Sequence, residues 1–323
     1  METVRPTRKV KLLLGFLVKG EADAIFKQNL FSIPQVNADP IQLWRRSADA
    51  VLNLPITPGT PEIRILEDAE SRAVGEVRAR QTFKKHYESF ADYQFAMAGV
   101  NSLLTPQSFA DIDYIDELSG RIGGDASLEE QIRFAMAEGE ITEPIITGAH
   151  VTFTSQRRDL HVEQIPTLRQ LDTGEFEIVM RASSRPNYVQ AVKAGNRLLL
   201  TNGVHKVCAM IRNGYTHVPC LLRHAGRLEE SGLNMQQSSL FRPDLLNGLR
   251  PAQIIDFLDE KVAVSVALRS MYQVLRVGIG VEMFDVPAIP PLSATRAIDA
   301  NLDLGALATS VAADTNASPR TSP

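Results

Sequence analysis

The residues best placed to do chemistry are Asn202-Gly203-Val204-His205-Lys206. Asn-Gly is turn chemistry, and the residues after it open a helix, because Val204, Val207, Cys208 and Ile211 recur at i, i+3, i+4 and i+7 as one apolar stripe. The first-turn amides of a helix lack intrahelical acceptors and make its N-terminus partly positive. Two basic side chains, His205 and Lys206, stand where that dipole disfavours cations. They fit if an anion lies between them and the amides, as a phosphate does at many helix N-termini. The other reading leaves both side chains in water at a cost of roughly a few tenths of a kcal/mol.

Such a site needs a rigid mount, and the flanking residues supply one. Leu198-Leu199-Leu200 is a continuous apolar run, as in a strand covered on both faces, and Thr201 and Asn202 end it. Gly214 suits a left-handed C-terminal cap, and residues 218–222 form a second buried strand. Upstream, residues 175–181 alternate as a strand, 188–192 form another, and Gly195-Asn196 turns into Leu198. Lys193 and Arg197 precede the site, as added charge or as a solvated hairpin face, and Arg157-Arg158 reads either as a phosphate clamp or as surface.

Earlier still, residues 100–104 form a short apolar strand ending in Thr105-Pro106-Gln107. Residues 109–122 hold a helix with Ile112, Ile115 and Leu118 inward, and Ser127 with Glu130 makes a capping box for the next helix. Strands follow at 143–147 and 150–154. Residues 1–97 read as mainly helical: Asp39-Pro40 is a helix start, and residues 67–98 carry Phe83, Tyr87, Phe90 and Phe95 on one face, a core stripe rather than a cofactor box. Residues 225–286 read as a helical extension, with helices at 251–258 and 264–277. Residues 287–323 lack periodicity and are rich in Pro, Ala, Thr and Ser, the composition of a disordered tail.

The order strand, Pro-Gln loop, helix, helix, Pro144-Ile145-Ile146, strand, Asn-Gly, helix, Gly, Val218-Pro219 resembles the N-terminal domain of ParB-type proteins. That fold is shared with sulfiredoxin and the ParB-like free-serine kinases, and the resemblance covers about residues 98–224, with an insertion between Ile146 and Leu198. It implies an α+β core, a ParB/sulfiredoxin-like domain between helical N-terminal and C-terminal extensions. It also implies that Gly203-Val204-His205-Lys206 occupies the family's phosphate-binding element, with Thr201, Asn202 and Gln107 beside it. The implied ligand is a nucleoside triphosphate with Mg2+, and the implied role a regulatory switch or a weak hydrolase or phosphotransferase. The departures matter chemically. Lys206 stands for the usual arginine, so bidentate phosphate binding becomes a point charge. Val204 stands where sulfiredoxin has its cysteine. Gln107 lies where the serine kinases carry an acid, and a neutral amide cannot take a proton from a hydroxyl. Asp111 and Asp113 lie close by in sequence and read as acids at a helix start. The alternatives are a DNA-associated regulator using the helices after Pro251 as a helix-turn-helix, and an interaction protein that keeps the fold without the chemistry.

The whole chain sets outer bounds. Its 323 residues, 44% of them hydrophobic, suffice for one large or two modest domains, and a net charge of −4 excludes a general polyanion binder. Cys208 and Cys220 have no Cys-x-x-Cys spacing and read as buried thiols rather than metal ligands. The basic N-terminus before residues 12–18 imitates a signal peptide, but that run is short and Lys19 and Glu21 follow at once. The expectation is a cytoplasmic protein with no membrane partner.

Overall fold

The structure is a computed structural model. It describes residues 7–278 apart from 28–30, 33–38, 58, 89–91, 139–143, 149, 156–159, 163–166, 180, 185, 234–239, 241 and 270–272. The described chain opens with β1 (Thr7–Leu12), a 3-10 turn at Leu14–Phe16, α1 (Lys19–Lys27) and β2 (Phe31–Ser32). Asp39 then starts α2 (Pro40–Leu52): its carboxylate accepts the Ile41 amide at 3.0 Å, and proline holds the first helical position. Next come β3 (Ile63–Ile65), α3 (Arg72–Ala79), the single turn α4 (Gln81–Phe83), β4 (Tyr93–Gly99), β5 (Leu103–Leu104) and β6 (Phe109–Asp111). Asp111 caps α5 (Ile112–Ile122), and Ser127 and Glu130 close the capping box of α6 (Leu128–Ala135) in both directions.

Six short strands follow: β7 (Ile145–Thr147), β8 (His150–Ser155), β9 (Leu160–Val162), β10 (Thr167–Gln170), β11 (Phe176–Val179) and β12 (Ala182–Ser184). The chain then makes β13 (Gln190–Ala194), β14 (Arg197–Asn202), α7 (Val204–Arg212) and β15 (His217–Ala225). It continues through α8 (Pro243–Leu246), a 3-10 turn at Ile254–Leu258, β16 (Val264–Arg269) and β17 (Gln273–Gly278). The fold is mixed α+β.

Two sheets carry the core. The larger has the order β3-β4-β15-β13-β14-β5, and the smaller β2-β16-β1-β6. Pro219 is tolerated inside β15 because β13 pairs that strand only from Leu221 onward, so no ladder bond to β13 is lost at the proline. Helix α5 packs on α7, and α7 is buried on nearly every side. The remaining strands form small separate pairings, β10 with β11, β12 with β9, and the three-stranded β17-β8-β7.

Several expectations are corrected. Residues 93–98 are not helical. Tyr93–Gly99 is a strand between β3 and β15, and Phe83, Tyr87 and Phe95 still share the core, meeting across α4, the turn after it and β4 with Phe83–Phe95 ring centroids 5.8 Å apart. Phe90 lies outside the described residues. The helix expected at 264–277 is two strands, and 251–258 gives only a 3-10 turn. Val264, Val266 and Leu268 alternate with Ser265, Ala267 and Arg269, a period of two that β16 satisfies by pairing all six residues with β1. Among the described residues there, no helix-turn-helix is formed. Contacts group Met1–Val277 as one compact unit, in which β1 joins the smaller sheet and β4 the larger. The expected tail, 287–323, lies outside the described residues. Among those described, no helix is long and apolar enough to cross a membrane.

Candidate functional site

The β14–α7 junction forms as its sequence implies. Gly203 adopts φ +91° as the N-cap of α7, and a Cβ there would stand 2.8 Å from the Val189 Cα. Only glycine combines that backbone with so close a neighbour. Thr201 Oγ1 donates to the Gln190 carbonyl at 3.2 Å, and Asn202 pairs with Gln190 at the end of β14 beside a register shift. Val204 is buried.

The two basic side chains do not face an anion together. Lys206 is only 4% exposed, and its Nζ donates to the carbonyls of Ala137 at 2.9 Å, Asn187 at 2.5 Å and Ala135 at 3.2 Å. Its ammonium therefore enters the protein and binds backbone carbonyls. The physical reason lies in the helix itself: Val204, Val207, Cys208, Ala209 and Met210 are all buried. A helix covered all round carries even a first-turn lysine inside. That signal was present in the unbroken apolar run 207–211.

His205 accepts a hydrogen bond at Nε2 from the Asp111 amide at 3.0 Å, and its ring lies 5.4 Å from that of Tyr114. The imidazole is thus neutral, with its proton on Nδ1. Burial pushes its pKa down to about 4, opposed by the Asp111 carboxylate and assisted by the Arg8 guanidinium. Asp111 is itself held by the Tyr114 amide at 3.0 Å and by Arg8 Nη1 at 2.9 Å. Asp113 accepts the Lys9 amide at 2.9 Å. Both acids are thus engaged at the helix start. Arg8 is the residue sequence reading missed, since β1 reaches β6 only through long-range pairing.

A pH dependence follows. The folded pKa of His205 lies below the ordinary imidazole value, so the unfolded chain binds the extra proton first as pH falls. Stability contributed by the neutral ring is complete above pH ~6.5 and disappears as pH falls toward 4. The expected loss is on the order of 3 kcal/mol. Urea unfolding at stepped pH should show this slope, and His205→Gln, which accepts the same amide but does not titrate there, should flatten it.

Gln107 stays within its own turn, its amide bound to Thr105 Oγ1 at 3.2 Å and its Nε2 to the Phe109 carbonyl at 2.6 Å. The Phe109 it binds opens β6, whose last residue, Asp111, binds His205. Arg197 Nη2 is engaged by the Gly248 carbonyl at 2.6 Å, and Arg157 and Arg158 lie outside the described residues. Cys208 and Cys220 are buried thiols with pKa values pushed up by burial, which suits packing rather than nucleophilic chemistry. Among the described residues, no group of three or more His, Cys, Asp or Glu side chains could hold a metal ion.

Comparison with known proteins does not add a relative: no family model, no curated protein and no solved structure matches this chain.

Proposed function

We propose that this chain is a non-catalytic interaction protein in which the β14–α7 junction is a structural joint. The observation that carries the reading is Lys206, whose ammonium is buried against three carbonyl oxygens. With His205 neutral near pH 7 and the Lys206 ammonium 4% exposed, neither side chain presents an exposed positive charge to an anion. Exposed apolar side chains stand on the strands after α6, Ile145 and Ile146 on β7 and Leu168, Phe176 and Ile178 on β10 and β11, each between 61% and 74% exposed. Leu168 lies opposite Ile178 across β10 and β11, with Phe176 two residues along on the same side. Apolar faces of this kind favour association over solvation. The reading is tested by thermal unfolding with ATP, CTP or GTP, each with Mg2+. No nucleotide-dependent rise in Tm is expected, and a saturable rise overturns the reading.

One observation favours a second reading, a nucleotide-binding protein of ParB type. Gly203 caps α7 without a side-chain hydrogen bond, so a phosphate could be held by the first-turn amides alone. The sequence of β5, α5, α6, β14, α7 and β15 also follows the order that this resemblance implies. On this reading the same titration gives saturable stabilisation.

A further inference from the structure

The chain between α6 and β13 leaves and re-enters the protein at one buried side chain. On the outgoing side Lys206 Nζ binds the carbonyls of Ala135 and Ala137, and on the returning side it binds that of Asn187. Two further hydrogen bonds join the same ends. Tyr188 Oη donates to Glu138 Oε1 at 2.7 Å, and the Val189 amide donates to the Ala135 carbonyl at 3.0 Å. The strands between these ends pair largely with one another: β7 with β8, β9 with β12, and β10 with β11. Among the described residues, the strand pairing beyond the base that reaches the rest of the protein is β17 alongside β8.

We infer that Lys206 is the clasp at the base of an arm that carries strands β7 to β12. It is a positioning residue that closes the base of the arm onto the first turn of α7 and holds it as a unit distinct from the sheet core. The chemistry fits that task. A lysine carries three donors on a long stem, so a single ammonium can tie three carbonyls from two chain segments. Without it the carbonyls of Ala137 and Asn187 would lose this donor, while that of Ala135 would keep only the Val189 amide. The core does not need the clasp for its own pairing, because β4 and β15 are joined over seven residues independently of Lys206. The clasp is also independent of what the chain binds, so a nucleotide response would leave it standing, and its failure would leave the interaction reading standing.

Hydrogen exchange with mass spectrometry on the full chain tests it, comparing the parent with Lys206→Met and Lys206→Gln. In Lys206→Met, amides of residues 135–138 and 187–190 and of strands β7 to β12 should exchange at least about ten-fold faster, with β4 and β15 little changed. Lys206→Gln, which keeps a neutral donor, should show a smaller loss over the same segments. Equal loss in β4 and β15, or no change in the arm, overturns the clasp. If neither variant folds, the parent at stepped urea decides: the arm must lose protection at lower urea than β4 and β15, and simultaneous loss overturns the inference.

Discussion

Asp256→Ala should destabilise the protein by about 3–5 kcal/mol, read as a lowered urea midpoint. Asp256 holds Arg250 through two bonds, Oδ1 to Nη2 at 2.5 Å and Oδ2 to Nη1 at 3.1 Å, with side-chain exposures of only 3% and 10%. Its Oδ2 also accepts the Gln253 amide at 2.7 Å, and Gln253 Nε2 in turn donates to the Asn101 carbonyl, fastening this turn to the loop beside β5. Burial raises the Asp256 pKa above its ordinary value, with the Arg250 bond working against that shift. Desolvation therefore outweighs attraction, and the ion pair is not itself a large source of stability. The cost of Asp256→Ala comes from leaving a guanidinium buried without its carboxylate. The double substitution Arg250→Met/Asp256→Ala should accordingly cost less than the sum of Arg250→Met and Asp256→Ala, with a coupling of about 2–3 kcal/mol. Strictly additive losses would show that the two side chains act separately.

Gly203→Ala should cost about 2–5 kcal/mol, combining the left-handed backbone with overpacking. At φ +91° the new Cβ meets the Val189 backbone at 2.8 Å. Val189 cannot yield easily, because its amide donates to the Ala135 carbonyl and its carbonyl accepts the Leu221 amide, at 3.0 and 2.9 Å. Gly214 supplies the control. Its φ is +88°, but a Cβ there meets nothing within 4 Å, so Gly214→Ala carries only the backbone penalty of about 1–2 kcal/mol. The difference between the two midpoints measures the steric part at Gly203. Equal losses would place the whole effect in the dihedral.

Local chemistry was the most legible part of this protein. Asp39, Ser127 with Glu130, Gly203 and Gly214 each specify a cap or a turn through atoms a few bonds away, and each takes that role in the structure. The apolar stripe from Val204 to Ile211 likewise marks α7. Segments whose conformation depends on a distant partner were not legible in the same way. Residues 264–269 alternate with a period of two, and pairing with β1, far earlier in the chain, is what makes that alternation a strand. Tyr93–Gly99 continues an aromatic pattern of helical spacing, yet hydrogen bonding to β3 and β15 makes it a strand.

The candidate site divides along the same line. By itself the sequence determined that a strand would turn at Asn202-Gly203 into a helix whose first turn carries His205 and Lys206, because turn and helix periodicity are local properties. Tertiary structure decided which partners those side chains meet. His205 meets the Asp111 amide because β6 lies beside α7, and Lys206 enters the protein because carbonyls from α6 and from the far end of the arm converge there. Backbone acceptors carry no side-chain signature, so no spacing of residues could have announced them.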